Sequence, residues 1–304
     1  MTGLDVSLTG ATVRYRRRGA PAHDVADLAW APGLVHGLLG RNGSGKSTLL
    51  AVVAGFQRAS CGQVRVGGAD PFEHAASAAG TCLVREGGDV ITSDRVRDVL
   101  RTAATLRPGF NLAAALGLAD RFGLSRRSFV DRLSRGQRSA LGVVLGLASR
   151  APLTLLDEVT LGLDAAARAA FACELAREQA EHPRTVVVAT HLVDEVEPLL
   201  DRVTVLHAGR VLLDDDVEAA RSRVVAASGP APAVEGFAVG CDVIASRRLG
   251  GTAEVVVADP DGESRLAAEV VGLHVASPSL QDVLVHLTSR SPAPTSLVGA
   301  GAGR

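Results

Sequence analysis

No uninterrupted apolar stretch in this sequence approaches the ~20 residues that a membrane-crossing helix needs, and residues 141–148 are about the longest. Residues 1–9 hold no basic segment followed by an apolar one, so no signal peptide is expected. Cys61, Cys82, Cys173 and Cys241 are scattered without metal-like spacing and read as small core residues in a reducing compartment. The net charge is −1, which gives no general electrostatic pull toward nucleic acid. Aromatics make up only 3%, and alanine and valine inflate the 47% hydrophobic fraction. No long internal repeat is visible. The expectation is a soluble cytoplasmic protein whose 304 residues suffice for about two domains.

Lysine is almost missing as well. Lys46 is the only one, and the other 31 of the 32 basic residues are arginine. It stands in Gly40-Arg41-Asn42-Gly43-Ser44-Gly45-Lys46-Ser47-Thr48, which matches the phosphate-binding P-loop pattern G-x-x-x-x-G-K-[ST]. Residues 33–39 before it read as a buried strand, and an apolar helix begins at Thr48. Glycines at 40, 43 and 45 let the backbone turn its N–H groups toward phosphate oxygens, and the helix N-terminus adds its dipole. A compact ammonium fits such a loop where a planar guanidinium does not. Lys46 is therefore assigned to the β/γ-phosphates of a nucleotide and the Ser47 hydroxyl to Mg²⁺.

Residues 4–15 read as strand, ending at Tyr15. Its ring is placed to stack on a nucleobase, although a lone interfacial tyrosine fits equally well. Residues 16–18 are three arginines in a solvated turn. Strands are expected at 62–66 and 81–84, with a short helix at 72–79 between them. Residues 87–150 read as a mainly helical insertion, with helices at 94–106 and 112–122 broken by Pro108-Gly109. Leu133-Ser134-Arg135-Gly136-Gln137 then opens a long helix. Ser134 is the N-cap and the helix start is a second potential anion site, though taken alone it is an ordinary capped helix.

Leu153-Thr154-Leu155-Leu156-Asp157-Glu158 is an apolar strand ending in two carboxylates, which need partners if buried. Beside a P-loop, Asp157 would hold Mg²⁺ and Glu158 would polarise the attacking water. Asp164 caps the next helix. The strand 185–189 ends in Thr190-His191, at the sheet edge where ligands gather, which suggests His191 as a γ-phosphate contact. A hairpin at 202–214 closes this region. Residues 228–232 suggest a linker, 216–288 a small α+β unit, and the tail from 289 disorder.

In this order the pieces resemble the nucleotide-binding subunit of an ABC transporter, over about residues 4–215. The resemblance implies a P-loop NTPase ABC ATPase core of α/β class, with the 87–150 helical insertion and the 216–288 appendage. It implies ATP and Mg²⁺ as cofactors and hydrolysis by in-line attack of water. It also implies Tyr15 as the adenine-stacking aromatic, Ser134, Arg135, Gly136 and Gln137 as the signature, and Asp164 as a loop contact. Two such subunits, alike or different, would sandwich ATP between one P-loop and the opposing signature. They would drive a separate membrane permease from the inner face of the cell membrane. The appendage, with the run Ser279-Leu280-Gln281-Asp282-Val283-Leu284, resembles exporter-type members.

Three positions depart from the family pattern. The usual glutamine after strand 81–84 is replaced by Arg85-Glu86, where Glu86 could ligate Mg²⁺. Arg135 replaces the first signature glycine, with Gly136 retained where backbone is expected to approach phosphate. Val159 replaces a proline. Two other readings stay open: a soluble ABC ATPase acting on ribosomes or DNA, and a nucleotide sensor that does not hydrolyse. The single cassette and short insertion favour transport over the first, and Glu158 with His191 argues against the second.

Overall fold

The computed structural model describes residues 3–14, 23–86, 90, 92–259 and 262–290. Tyr15, the arginine turn at 16–18 and the tail beyond Arg290 lie outside them. The chain divides at Ala220 and Arg221 into two compact units.

The first unit opens with β1 (Val6–Val13) and β2 (His23–Trp30), an antiparallel pair. The fully buried β3 (Val35–Leu39) leads through the glycine loop into α1 (Lys46–Val53). Next, β4 (Cys61–Val66) returns antiparallel to β1, giving a three-stranded sheet of order β2-β1-β4. After α2 (Ala75–Gly80) and β5 (Thr81–Arg85), α3 (Val96–Leu106), α4 (Leu112–Arg121) and α5 (Arg135–Ser149) follow. The unit continues with β6 (Leu153–Asp157), α6 (Ala165–Glu181), β7 (Thr185–Thr190), β8 (Arg202–His207), β9 (Arg210–Asp216) and α7 (Val217–Arg221).

Six of these strands form the main sheet, in the order β5-β6-β7-β3-β8-β9. All neighbours are parallel except the β8–β9 hairpin. Strands buried on both faces are continuous apolar runs, which is why β3, β6 and β7 were legible. The core cluster joins Val6, Leu8 and Trp30 of the small sheet to Leu49, Leu50 and Val53 of α1 and to Leu38, Leu155 and Val187 of the large one. The P-loop helix is thus clamped between two sheets. Among the described residues, no helix is long and apolar enough to cross a membrane.

Helix α5 packs directly on this sheet: a Cβ on its Gly146 would lie 2.9 Å from Leu156 Cδ2 and 3.2 Å from Val84 Cγ2. Beneath it lies a buried ionic cluster. Glu178 is fully buried and accepts from Arg150 Nε and Nη2 at 3.3 Å, with Arg184 Nη1 at 3.8 Å. Arg184 is itself buried, and desolvation pulls its pKa down. Glu178→Ala would leave that guanidinium without its countercharge. It should destabilise the unit by about 3–5 kcal/mol, read as a lower urea midpoint. A loss under ~1 kcal/mol would show that the arginines are solvated.

The second unit is a four-stranded antiparallel sheet with helices. It comprises β10 (Val224–Pro230), α8 (Ala231–Ala238), β11 (Val243–Leu249), β12 (Thr252–Ala258), α9 (Glu263–Val270), β13 (His274–Ala276) and α10 (Leu280–Arg290), in strand order β11-β12-β10-β13. Val225, Val234, Phe237, Val257 and Leu273 fill its core. Residues 228–232 are not a linker. Ser228, Gly229 and Pro230 pair with Glu254, Ala253 and Thr252 across β10 and β12, and Ala231-Pro232 start α8. Both prolines sit where a missing N–H costs nothing, at a strand end and in a first helical turn.

Candidate functional site

The register of the parallel strands assembles the site. Arg85 pairs with Asp157, Asp157 with Ala189, and Leu39 with Thr190. The segments leaving the C-terminal ends of β5, β6, β7 and β3 therefore emerge side by side. They carry Glu86, Glu158, His191 and the P-loop. This is the edge at which an open parallel sheet binds ligands.

The loop from Gly40 to Gly45 turns through left-handed backbone at Gly43 (φ 80°) and Gly45 (φ 109°), which a side chain would strain. Ser44 N–H donates to the Arg41 carbonyl at 3.0 Å, and Gly209 N–H braces the loop from behind at the Ser44 carbonyl, 2.9 Å. Lys46, only 5% exposed, donates from Nζ to the Gly40 carbonyl at 2.7 Å and lies 3.4 Å from that of Arg41. Its Nζ is also 3.1 Å from Glu158 Oε1.

Glu158 adopts φ 52°, unusual for a residue with a side chain, and its N–H is tied to the Ala189 carbonyl at 2.9 Å. That strained turn aims its carboxylate at Lys46 on one side and His191 on the other. His191 Nδ1 lies 3.2 and 3.1 Å from the two carboxylate oxygens, so Nδ1 carries the proton that it donates to Glu158. Lys46, Glu158 and His191 form one connected triad.

Asn42, Gly43, Gly45, Lys46, Ser47, Thr48, Glu86, Glu158 and Leu161 line a single cleft of about 520 Å³. Asp157 lies behind it, beside the Ser47 side chain. Burial pushes the Asp157 carboxyl up; the Ser47 hydroxyl opposes the rise and the neighbouring Glu158 charge adds to it. Asp157 Oδ1 is buried with no hydrogen-bond partner among the described residues. An unsatisfied buried carboxylate oxygen beside a serine hydroxyl is a hard-oxygen pair that suits Mg²⁺.

The signature residues lie elsewhere. Ser134 and Gln137 bond each other in a capping box, Gln137 N–H to Ser134 Oγ at 3.2 Å and Ser134 N–H to Gln137 Oε1 at 3.1 Å. Asp164 is occupied as the cap of α6, accepting from Ala167 N–H at 2.8 Å. Gly136 has a reason that was not anticipated: a Cβ there would come 2.7 Å from the Gly162 carbonyl. The signature helix therefore packs on the 160–164 loop within one chain. Of the signature, Arg135 alone reaches the cleft wall, through an ion pair with Glu86.

The ABC transporter family model matches residues 24–161. The chain is 34% identical over 230 residues to the aliphatic sulfonates import ATP-binding protein SsuB of Cupriavidus necator, covering 75% of this chain and 74% of that one. The chain belongs to the ABC transporter ATP-binding family. A second member, the methionine import ATP-binding protein MetN of Caulobacter vibrioides, is 33% identical over 232 residues, covering 72% of this ABC chain and 67% of its own. A Streptomyces avermitilis protein named for ABC transporter ATP binding is 38% identical over 209 residues, 66% of this chain. The chain spans only 36% of that longer relative. The fold is that of a solved ATP-binding subunit of an ABC transporter, with TM-score 0.63 at 23% identity, covering 71% of this chain and 91% of that one.

Proposed function

We propose that this chain binds and hydrolyses ATP and thereby powers a separate membrane-spanning permease, working as a pair of such subunits at the inner face of the cell membrane. The single observation that carries the reading is the cleft in which P-loop, Glu158 and, through Glu158, His191 converge on Lys46. Lys46 and the loop N–H groups hold the phosphates, the role for which a buried, compact ammonium is suited. Glu158 accepts the proton of the attacking water, and His191 orients that carboxylate through Nδ1–H and is kept as the γ-phosphate contact. Ser47 and Asp157 would hold Mg²⁺, which would supply charge neutralisation on the phosphates. Tyr15 is kept as the adenine-stacking residue.

Residues 1–215 act as the ATPase domain, with 87–150 as its helical insertion, and 216–288 as the appendage. Ser134, Gly136, Gln137 and Asp164 serve the partner subunit's nucleotide. Export is our reading of direction. It rests on the appendage alone, because relatives named for import share the cassette. No contact with nucleic acid is part of the function. Titration of the purified chain with ATP should show affinity that rises at least about tenfold with Mg²⁺, together with phosphate release. Magnesium-independent or undetectable binding would overturn the reading.

A further inference from the structure

Two of the three positions at which this chain departs from its family pattern meet in space. Glu86, just past β5, and Arg135, the first residue of α5, form an ion pair. Glu86 lines the cleft together with Lys46, Ser47 and Glu158. Lys46 is already engaged by Glu158, so the countercharge of Glu86 comes from outside the lining, from Arg135. Arg135 is well anchored for this. Its backbone lies between the Ser134–Gln137 capping box and the close contact of Gly136 with Gly162, while its side chain is 70% exposed and crosses to Glu86.

We propose that Arg135 is a positioning residue for nucleotide binding: it neutralises Glu86 and holds it to the wall, so that the cleft can carry a carboxylate beside a polyphosphate. The inference rests on the nucleotide reading above and deepens it. Without Arg135, the Glu86 charge faces the phosphates uncompensated. With Glu86 made neutral, Arg135 is no longer needed in this role. An exposed pair contributes little to folding, so its effect belongs to ligand affinity and is screened by salt.

The test is a double-substitution cycle on the whole chain, read as the Kd for MgATP at low and high salt with thermal unfolding measured in parallel. Arg135→Ala should weaken binding about three- to tenfold at low salt and less at high salt, with Tm unchanged. Arg135→Lys, which keeps the charge, should bind within about twofold of wild type. Adding Glu86→Gln to Arg135→Ala should return affinity to within about twofold of wild type, the signature of coupling. Additive effects would overturn the proposal. So would tighter magnesium-dependent binding by Arg135→Ala, which would mean that freeing Glu86 creates a metal ligand. If wild type itself binds no nucleotide, the nucleotide reading fails first; wild-type binding with an additive cycle sinks this inference alone.

Discussion

Lys46→Arg should lose ATP affinity by about a hundredfold or more, close to 3 kcal/mol, despite keeping its charge. The loop leaves no room to adjust. Lys46 is 5% exposed and its Nζ is boxed between the Gly40 and Arg41 carbonyls and Glu158 Oε1. Gly40 cannot retreat, because even a Cβ there would meet the Leu206 carbonyl at 2.3 Å and Ser44 Oγ at 2.6 Å. Overpacking of this kind costs ~1–3 kcal/mol in itself, and the misdirected charge costs the phosphate contact besides. Calorimetric titration checks this, with unfolding as a control. Near-normal affinity would show that charge alone sufficed, and that thirty-one arginines beside one lysine have another cause.

Glu158→Gln is expected to separate binding from turnover. The amide keeps the shape of the side chain but cannot take a proton from water, so hydrolysis should fall about a hundredfold to ten-thousandfold. Binding should not fall with it. Lys46 loses its ion-pair partner, which leaves more of its charge for phosphate, so ATP should bind at least as tightly as to wild type. An ATP-loaded dimer should then accumulate, visible as a doubled mass by size-exclusion chromatography with ATP but not with ADP. Turnover within a few-fold of wild type would remove Glu158 from the chemistry. A variant that stays monomeric with ATP would count against the paired mechanism.

His191 shows how far local reading reached. Its place after an apolar strand, at the edge where such sheets bind ligands, suggested a γ-phosphate contact. That its Nδ1 would be committed to Glu158, thirty-three residues away, had no local sign. The same holds for Arg135 and Glu86. Each stood out only as an odd residue at its position, and nothing within either segment says that they touch. Strand β2 escaped the sequence reading altogether, since His23-Asp24 at its start and Asp27 within it break the apolar pattern. Residues 228–232 misled in the opposite way. Their glycine and prolines signal a break, whereas a paired strand end and a helix start tolerate them equally well.

Some things were settled within nine residues of chain. The glycine spacing and the lysine of the P-loop, the apolar run into Asp157-Glu158 and the Ser134 cap are local, because backbone conformation, burial and capping depend on near neighbours. What the tertiary structure alone decided is which strand lies beside which. The order β6-β7-β3 sets Asp157, Ala189, Thr190 and Leu39 along one edge. Parallel neighbours are joined by long crossovers, so their pairing rests on contacts between segments far apart in the chain, where no short motif can record it.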